Sequence, residues 1–446
     1  MENINKKNMS TLTGIHQKIG NYRWTICALL FFATTLNYLD RTVIGLLKDN
    51  LSELFHWSES DYSNLVIFFQ VAYAIGLFGI GAFIDKVGTK IGYAVSVFVW
   101  SIATVIHGFA TGTTGFIAAR TLLGLSESGN FPAANKTVSE WFPRKERALA
   151  TGLYNSGSNI GAIVAPILVP WLVINWGWQY AFYITGALGI IWLVLWLLIY
   201  ENPREKKRLS VAELNYINSD NEIGLATNQN TEKIKWRKLF GYRQTWAFIV
   251  GKFFTDPVWW FFLFWLPSFL KSEYGLTGMQ ISFPLIVVYT VSSFGSIVGG
   301  WLPKKLIDKG MDAGKARKHS MLVYAILPLA VLWVQDAGNI NMWFAIAIIS
   351  IACAAHCAWS ANIFASVSDM FPKPAVASVT GIGGMAGSIG GILIAKFAGI
   401  LFDHYKLLGK IGDGYAIMFI ICALAYLIAW KIINYLVGNF KPIKEI

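Results

Sequence analysis

Twelve mostly apolar stretches follow one another along this chain, most of them near the length of about 20 residues that a helix needs to cross the hydrocarbon core of a bilayer. Inside lipid every backbone N–H and C=O must be paired within its own segment, so the expected fold class is an all-α membrane protein. The spans are placed at 24–47, 62–83, 93–109, 113–136, 148–172 and 180–200, then at 245–270, 281–302, 321–333, 342–366, 375–401 and 415–436. The composition agrees: 55% of the 446 residues are hydrophobic and only 14% are charged, a balance seldom found in a water-soluble globule of this size.

The net charge of +12 would suit a nucleic-acid binder, but its distribution argues against one. Lys86, Lys90, Arg144, Lys145, Arg147, Arg204, Lys206, Lys207, Arg208, Lys304, Lys305, Lys309, Lys315, Arg317 and Lys318 fall in alternate loops, while the opposite side receives only Lys48, Lys271, Lys406 and Lys410. Basic loops stay in the cytoplasm, which places both termini and the central linker there. The first span lacks a small-residue cleavage site and is read as retained. Cys27, Cys353, Cys357 and Cys422 all lie in spans, so no disulfide framework is expected. Cys353, His356 and Cys357 share a helical turn but lack a fourth ligand, and neither a metal nor a cofactor is expected.

An internal repeat organises the chain. SEWFPRKERALATG from Ser139 aligns without a gap on SDMFPKPAVASVTG from Ser368, each after the fourth span of its half, and the register continues to Gly161 against Gly390. Two pseudo-symmetric six-helix bundles are therefore predicted, 1–200 and 245–446, joined by a cytoplasmic linker, 201–244. The linker is charged, holds the amphipathic stretch LSVAELNYI and has no Gly-rich phosphate loop. With its acids in mid-span, the chain does not display the interfacial catalytic constellation of a polytopic membrane enzyme, and no enzymatic activity is expected.

Ionisable groups within spans cost roughly 2.5–3.5 kcal/mol each on insertion scales, so each needs a partner or a watery cavity. The first span carries Asp40 and Arg41 with Asn37 one turn earlier; the fourth carries Arg120 and Glu127, two turns apart on one face. Arg41 and Arg120 suit an anion. Asp40 and Glu127, deep in their spans, are the candidate proton carriers, because burial favours the neutral acid and a nearby guanidinium the carboxylate. Weaker candidates for cavity lining are Tyr73 and Gln70 in the second span, Asn155, Ser158 and Asn159 in the fifth, and Trp359, Ser360 and Asn362 in the tenth. Gly157 and Gly161 are expected to permit close helix packing. Lys252 and Asp256, four residues apart, read as a mutually neutralising pair, and His107 and His356 as buried hydrogen-bonded histidines.

GAFIDKVGTK, from Gly81 to Lys90, resembles the loop between the second and third helices of the major facilitator superfamily, with Thr89 where that pattern usually has Arg; Asp85 would cap or pair at the neighbouring helix end. NYLDR, RTLLGLSESGNFPAA and SEWFPRKERA together resemble its anion:cation symporter branch, over nearly the whole chain. Within that branch GTKIGYA, GWQYAFYITGAL and AHCAWSANIFASVSDMFPKPAVASVTGIGGMAG are most similar to bacterial hexuronate transporters. The resemblance implies a monomeric secondary transporter of the bacterial inner membrane that imports glucuronate or galacturonate with protons. It carries the branch's functional residues onto Asp40, Arg41, Arg120, Glu127 and Tyr73. Ser158 and Gly384 stand where an aldonate-transporting relative has Gln and Asn, so an aldonate or another small organic anion stays open as the alternative.

Overall fold

The computed structural model describes residues 20–206, 208–219, 236–371, 373–438, 440 and 443. Twelve spans run through it. Those of the first half are Tyr22–Phe55, Glu59–Val87, Thr89–His107, a fourth made of Thr113–Glu127 and Asn130–Trp141, Arg144–Trp176 and Trp178–Ile199. Those of the second are Arg243–Tyr274, Ser282–Asp308, a ninth made of Ala313–Ile326, the 3-10 turn Leu327–Trp333 and Val334–Ile340, then Met342–Met370, Lys373–Leu407 and Ile411–Val437. Among the described residues, nine helices are apolar and long enough to cross a membrane. The outward faces of the spans carry residues such as Phe32, Ile75, Ile191, Leu198, Phe294 and Ile400, as lipid contact requires.

Pairing within each half repeats. The first span packs on the fifth, the second on the fourth and the third on the sixth; the seventh packs on the eleventh, the eighth on the tenth and the ninth on the twelfth. Glycines at matched register make the closest approaches. A Cβ on Gly161 would stand 2.4 Å from the Thr35 carbonyl, and one on Gly390 2.3 Å from the Phe253 carbonyl. Pro257 withholds the N–H that the Phe253 carbonyl would otherwise accept, and leaves it facing Gly390. Gly157 likewise presses on the Phe31 carbonyl, the close-packing role expected of it.

Several helices outrun the expected spans. The first continues to Phe55, so Lys48, expected in a loop, is buried within it. The ninth is about twice the expected length because it takes in the polar residues 313–320 and 334–340 on either side of the apolar run, while Pro328, at the start of the 3-10 turn, needs no N–H partner there and does not end it. The fourth breaks after Glu127, at Ser128 and Gly129. Of the linker, Val211–Ile217 is a short helix capped by Ser210 and docked on the first half: Glu213 accepts from the Tyr22 and Arg23 amides at 3.2 and 3.1 Å, an anion on a helix N-terminus. Linker residues 220–235, the chain ends and the Asp85 side chain lie outside the described residues.

The hydrogen bonds and ion pairs that join the two halves, among the described residues, lie at the end away from this linker helix. Asp403 of the eleventh span caps the second span's N-terminus, accepting from the Glu59 and Ser60 amides at 2.7 and 2.9 Å. Buried Lys48 holds Glu59 at 2.6 Å, and Lys406 approaches Glu59 at 3.8 Å. Asp49 accepts from the Ser268 hydroxyl and pairs with Lys271. Ser282 donates to the Pro166 carbonyl, which Pro170 leaves without its helical partner. Toward the linker end the fifth-span residues Asn155 and Ser156 are exposed, and nothing lies within 4 Å of a Cβ on Gly152 or Gly384. Among the described residues, the polar links between the halves gather at one end, and the linker end is the more open of the two.

Asp403→Ala should loosen the linked end, since a charged helix cap is worth roughly 1–2 kcal/mol. Ser63, buried against Gly399 at that end, supplies the probe. A cysteine at 63 should react with an impermeant thiol reagent roughly tenfold faster in the Asp403→Ala background. Equal rates would show that the cap does not hold this end.

Candidate functional site

Successive residues on a helix point about 100° apart, so Asp40 and Arg41 cannot share a face. Arg41 instead turns to the fourth span, where its Nε lies 2.6 Å from Glu127 Oε2, with both side chains almost fully buried. Asp40 turns toward the third and sixth spans, beside Thr104 and Thr185. Each threonine spends its hydroxyl proton on its own helix, at Trp100 O and Ala181 O. Arg41 therefore pairs with Glu127 of the fourth span and not with its neighbour Asp40.

Aromatic faces cup the arginine. Its guanidinium carbon is 4.5 Å from the ring centre of Tyr73, 5.1 Å from Tyr38 and 5.4 Å from Phe69, distances at which a cation is attracted to the π face. Phe69 also lies 5.6 Å from the guanidinium of Arg120, so the two arginines flank one ring. Several buried polar atoms here have no hydrogen-bond partner: Arg41 Nη2, Arg120 Nε and Nη2, Glu127 Oε1, both oxygens of Asp40, and both amide groups of Asn37 and Gln70. Natural interiors keep few such atoms, and a concentration of them marks a place built to meet a polar partner. Two carboxyls and two guanidiniums make the cluster neutral when all are ionised.

The remaining candidates divide. Asn155, Ser158 and Asn159 lie on the fifth-span face that is open toward the linker end; Ser158 donates to the Asn155 carbonyl at 2.7 Å. Ser360 is half-buried. Trp359 and Asn362 are not brought to the arginines. Trp359 is packed edge-on against Tyr426 of the twelfth span, and Asn362 donates to Gly299 O at 2.5 Å and Ala358 O at 2.9 Å, fastening the tenth span to the eighth. Lys252 and Asp256 form the expected pair at 2.8 Å. His356 bonds the Tyr426 hydroxyl and His107 the Ala103 carbonyl, each at 2.7 Å. Sequence reasoning did not single out Tyr38, although its place one turn before Arg41 was a usable signal.

A family model described as Major Facilitator Superfamily matches residues 30–395. The chain belongs to that superfamily. Among superfamily relatives, the hexuronate transporter of Escherichia coli K12 is 32% identical over 426 residues, which cover 94% of this chain and 95% of that one. The D-galactonate transporter of Escherichia coli O6:H1 is 30% identical, covering 87% and 91%. Among solved structures, a bacterial homolog of the human lysosomal transporter Spinster, in an inward-facing and unoccupied conformation, superposes with a TM-score of 0.73 at 20% identity, covering 94% of this chain and 98% of that one. The chain is thus a multi-pass membrane transporter of the major facilitator fold, and not an enzyme.

Proposed function

We propose that this transporter imports a hexuronate, glucuronate or galacturonate, together with protons, by alternating access of two six-helix units, 1–200 and 245–446, tied by the 201–244 linker. The observation that carries the reading is the buried Arg41, held by one nitrogen to Glu127 and left with Nη2 unpartnered inside an aromatic cup. A guanidinium so placed can offer its free edge to a carboxylate, while Tyr38 and Tyr73 present hydroxyls and ring faces to a sugar.

Charge balance supplies the coupling. The first-half cluster is neutral, so an added anion leaves a buried net charge unless a proton comes with it. Glu127 is the carboxylate whose hold on Arg41 weakens when substrate shares the guanidinium, and Asp40, once protonated, can donate to the Thr104 or Thr185 oxygen beside it. Proton and anion therefore favour each other's binding, and linkage makes that favour mutual. The membrane proposed is the bacterial inner membrane, with both termini and the linker cytoplasmic on the rule of basic loops; the open end then faces the cytoplasm.

The similarity to a D-galactonate transporter keeps an aldonate as the second reading. Uptake into proteoliposomes under an inward proton gradient separates the two. Labelled glucuronate or galacturonate should accumulate, a protonophore should abolish the accumulation, and galactonate should compete at least tenfold more weakly. Accumulation of galactonate alone would establish the aldonate reading, and accumulation of none of the three would end the sugar-acid proposal.

A further inference from the structure

The second half holds one ion pair deep in its spans among the described residues, Lys252 with Asp256, and a pair four residues apart on one helix has no need of a substrate to be satisfied. Its position says more. The Thr35 carbonyl meets Gly161 and the Phe253 carbonyl meets Gly390 at matched register; Tyr38 is three residues beyond the first and Asp256 three beyond the second. Tyr38 and Asp256 thus hold equivalent places on the first and seventh spans. They also lie within electrostatic reach of each other, and Tyr38 is the residue whose ring borders Arg41. The second-half pair therefore belongs to the wall opposite the arginine, on the far side of Tyr38.

The surroundings fix how the pair is presented. Lys252 lies 4.5 Å from the centre of the Phe364 ring, on the seventh span's tenth-span side. Asp256 lies against Gly387, where a Cβ would come within 2.2 Å of its oxygen, and Gly384, one turn nearer the open end, has nothing within 4 Å. One of the two Asp256 oxygens takes the ammonium, and the carboxylate side chain keeps 18% of its surface accessible beside that free space. An aspartate anchored by a lysine and partly accessible is an acceptor for hydroxyl protons and a repellent for a second carboxylate.

We propose that Asp256 is a specificity residue: it accepts hydrogen bonds from the hydroxyls at the end of the substrate remote from Arg41, and it excludes sugar acids that carry a carboxylate at that end. Lys252 is its positioning residue, keeping Asp256 ionised and turned to the cavity. This rests on the sugar-acid reading above, with the substrate's single carboxylate at Arg41. The transporter then distinguishes monocarboxylate from dicarboxylate sugar acids by charge repulsion, a discrimination that hydroxyl geometry alone supplies poorly. Removing the negative charge leaves Lys252 free to receive the second carboxylate.

The test compares galacturonate with galactarate, its dicarboxylate counterpart, as competitors of labelled galacturonate uptake in proteoliposomes. The parent should be inhibited by galactarate at least tenfold more weakly than by galacturonate. In Asp256→Asn the galacturonate KM should rise about tenfold and the ratio of the two inhibition constants should shift at least tenfold toward galactarate, whereas Asp256→Glu should keep the parent's order. A parent that accepts both equally overturns the proposal without any variant having to fold. An Asp256→Asn protein that transports with an unchanged ratio overturns it as well, and assigns the pair to helix packing. In both cases galacturonate uptake by the parent persists, so the sugar-acid reading stands; loss of that reading would show instead as no uptake by the parent.

Discussion

Arg41→Lys is expected to weaken sugar-acid binding by on the order of 30- to 150-fold while leaving the protein folded. Lysine retains the charge but has one nitrogen where the guanidinium has three, so it cannot hold Glu127 and a substrate carboxylate at the same time. Losing one charge-assisted hydrogen bond is worth roughly 2–3 kcal/mol, which converts to that range. The shorter reach also empties the cup of Tyr38, Tyr73 and Phe69. Calorimetric titration of the purified variant with galacturonate reads the affinity, and its thermal unfolding temperature reads the fold. A variant that folds normally and binds as the parent does would remove Arg41 from the site.

Glu127→Gln should have the second large effect, and of a different kind. The amide imitates the protonated acid and keeps a hydrogen-bond acceptor for Arg41, so binding should survive within a few-fold, as should exchange of internal for external substrate. Uphill accumulation should be lost, because this position can no longer give up a proton on the inner side. Asp40→Asn removes a carboxyl that lies beside Thr104 and Thr185 rather than on the arginine, and should impair accumulation without altering substrate preference. If both neutral variants still accumulate galacturonate in a protonophore-sensitive way, the proton is carried elsewhere.

Much of the fold was legible because lipid leaves the backbone few choices: twelve apolar runs had to be helices, and the gapless repeat implied two like bundles. The same reasoning located the first-half charges, since Asp40, Arg41, Arg120 and Glu127 stand out in apolar surroundings. Their partnering was not legible. It depends on the rotation of the first span against a fourth that stops at Ser128 and Gly129, and spacing within one helix says nothing of the angle between two. Lys48 was read as a loop residue because a charge ended an apolar run, yet its ammonium is buried on Glu59, a partner supplied by the next helix. Glu213 and Asp403, which cap helices far away in sequence, carry no local signal at all. Trp359 and Asn362 were expected at the cavity from residue type alone; the contacts seen for them, Trp359 on Tyr426 and Asn362 on Gly299, come from packing between spans that spacing in one helix does not reveal.

The central claim is that an anion reaching Arg41 requires a proton on the acids around it. It is tested most directly in proteoliposomes without any imposed proton gradient, by adding galacturonate outside and following internal pH with a trapped dye. The account predicts acidification of the lumen that tracks galacturonate entry in the parent, and galacturonate exchange without net acidification in Glu127→Gln. Entry of galacturonate into parent vesicles with no proton movement, under conditions where the dye responds to an added acid, would contradict it.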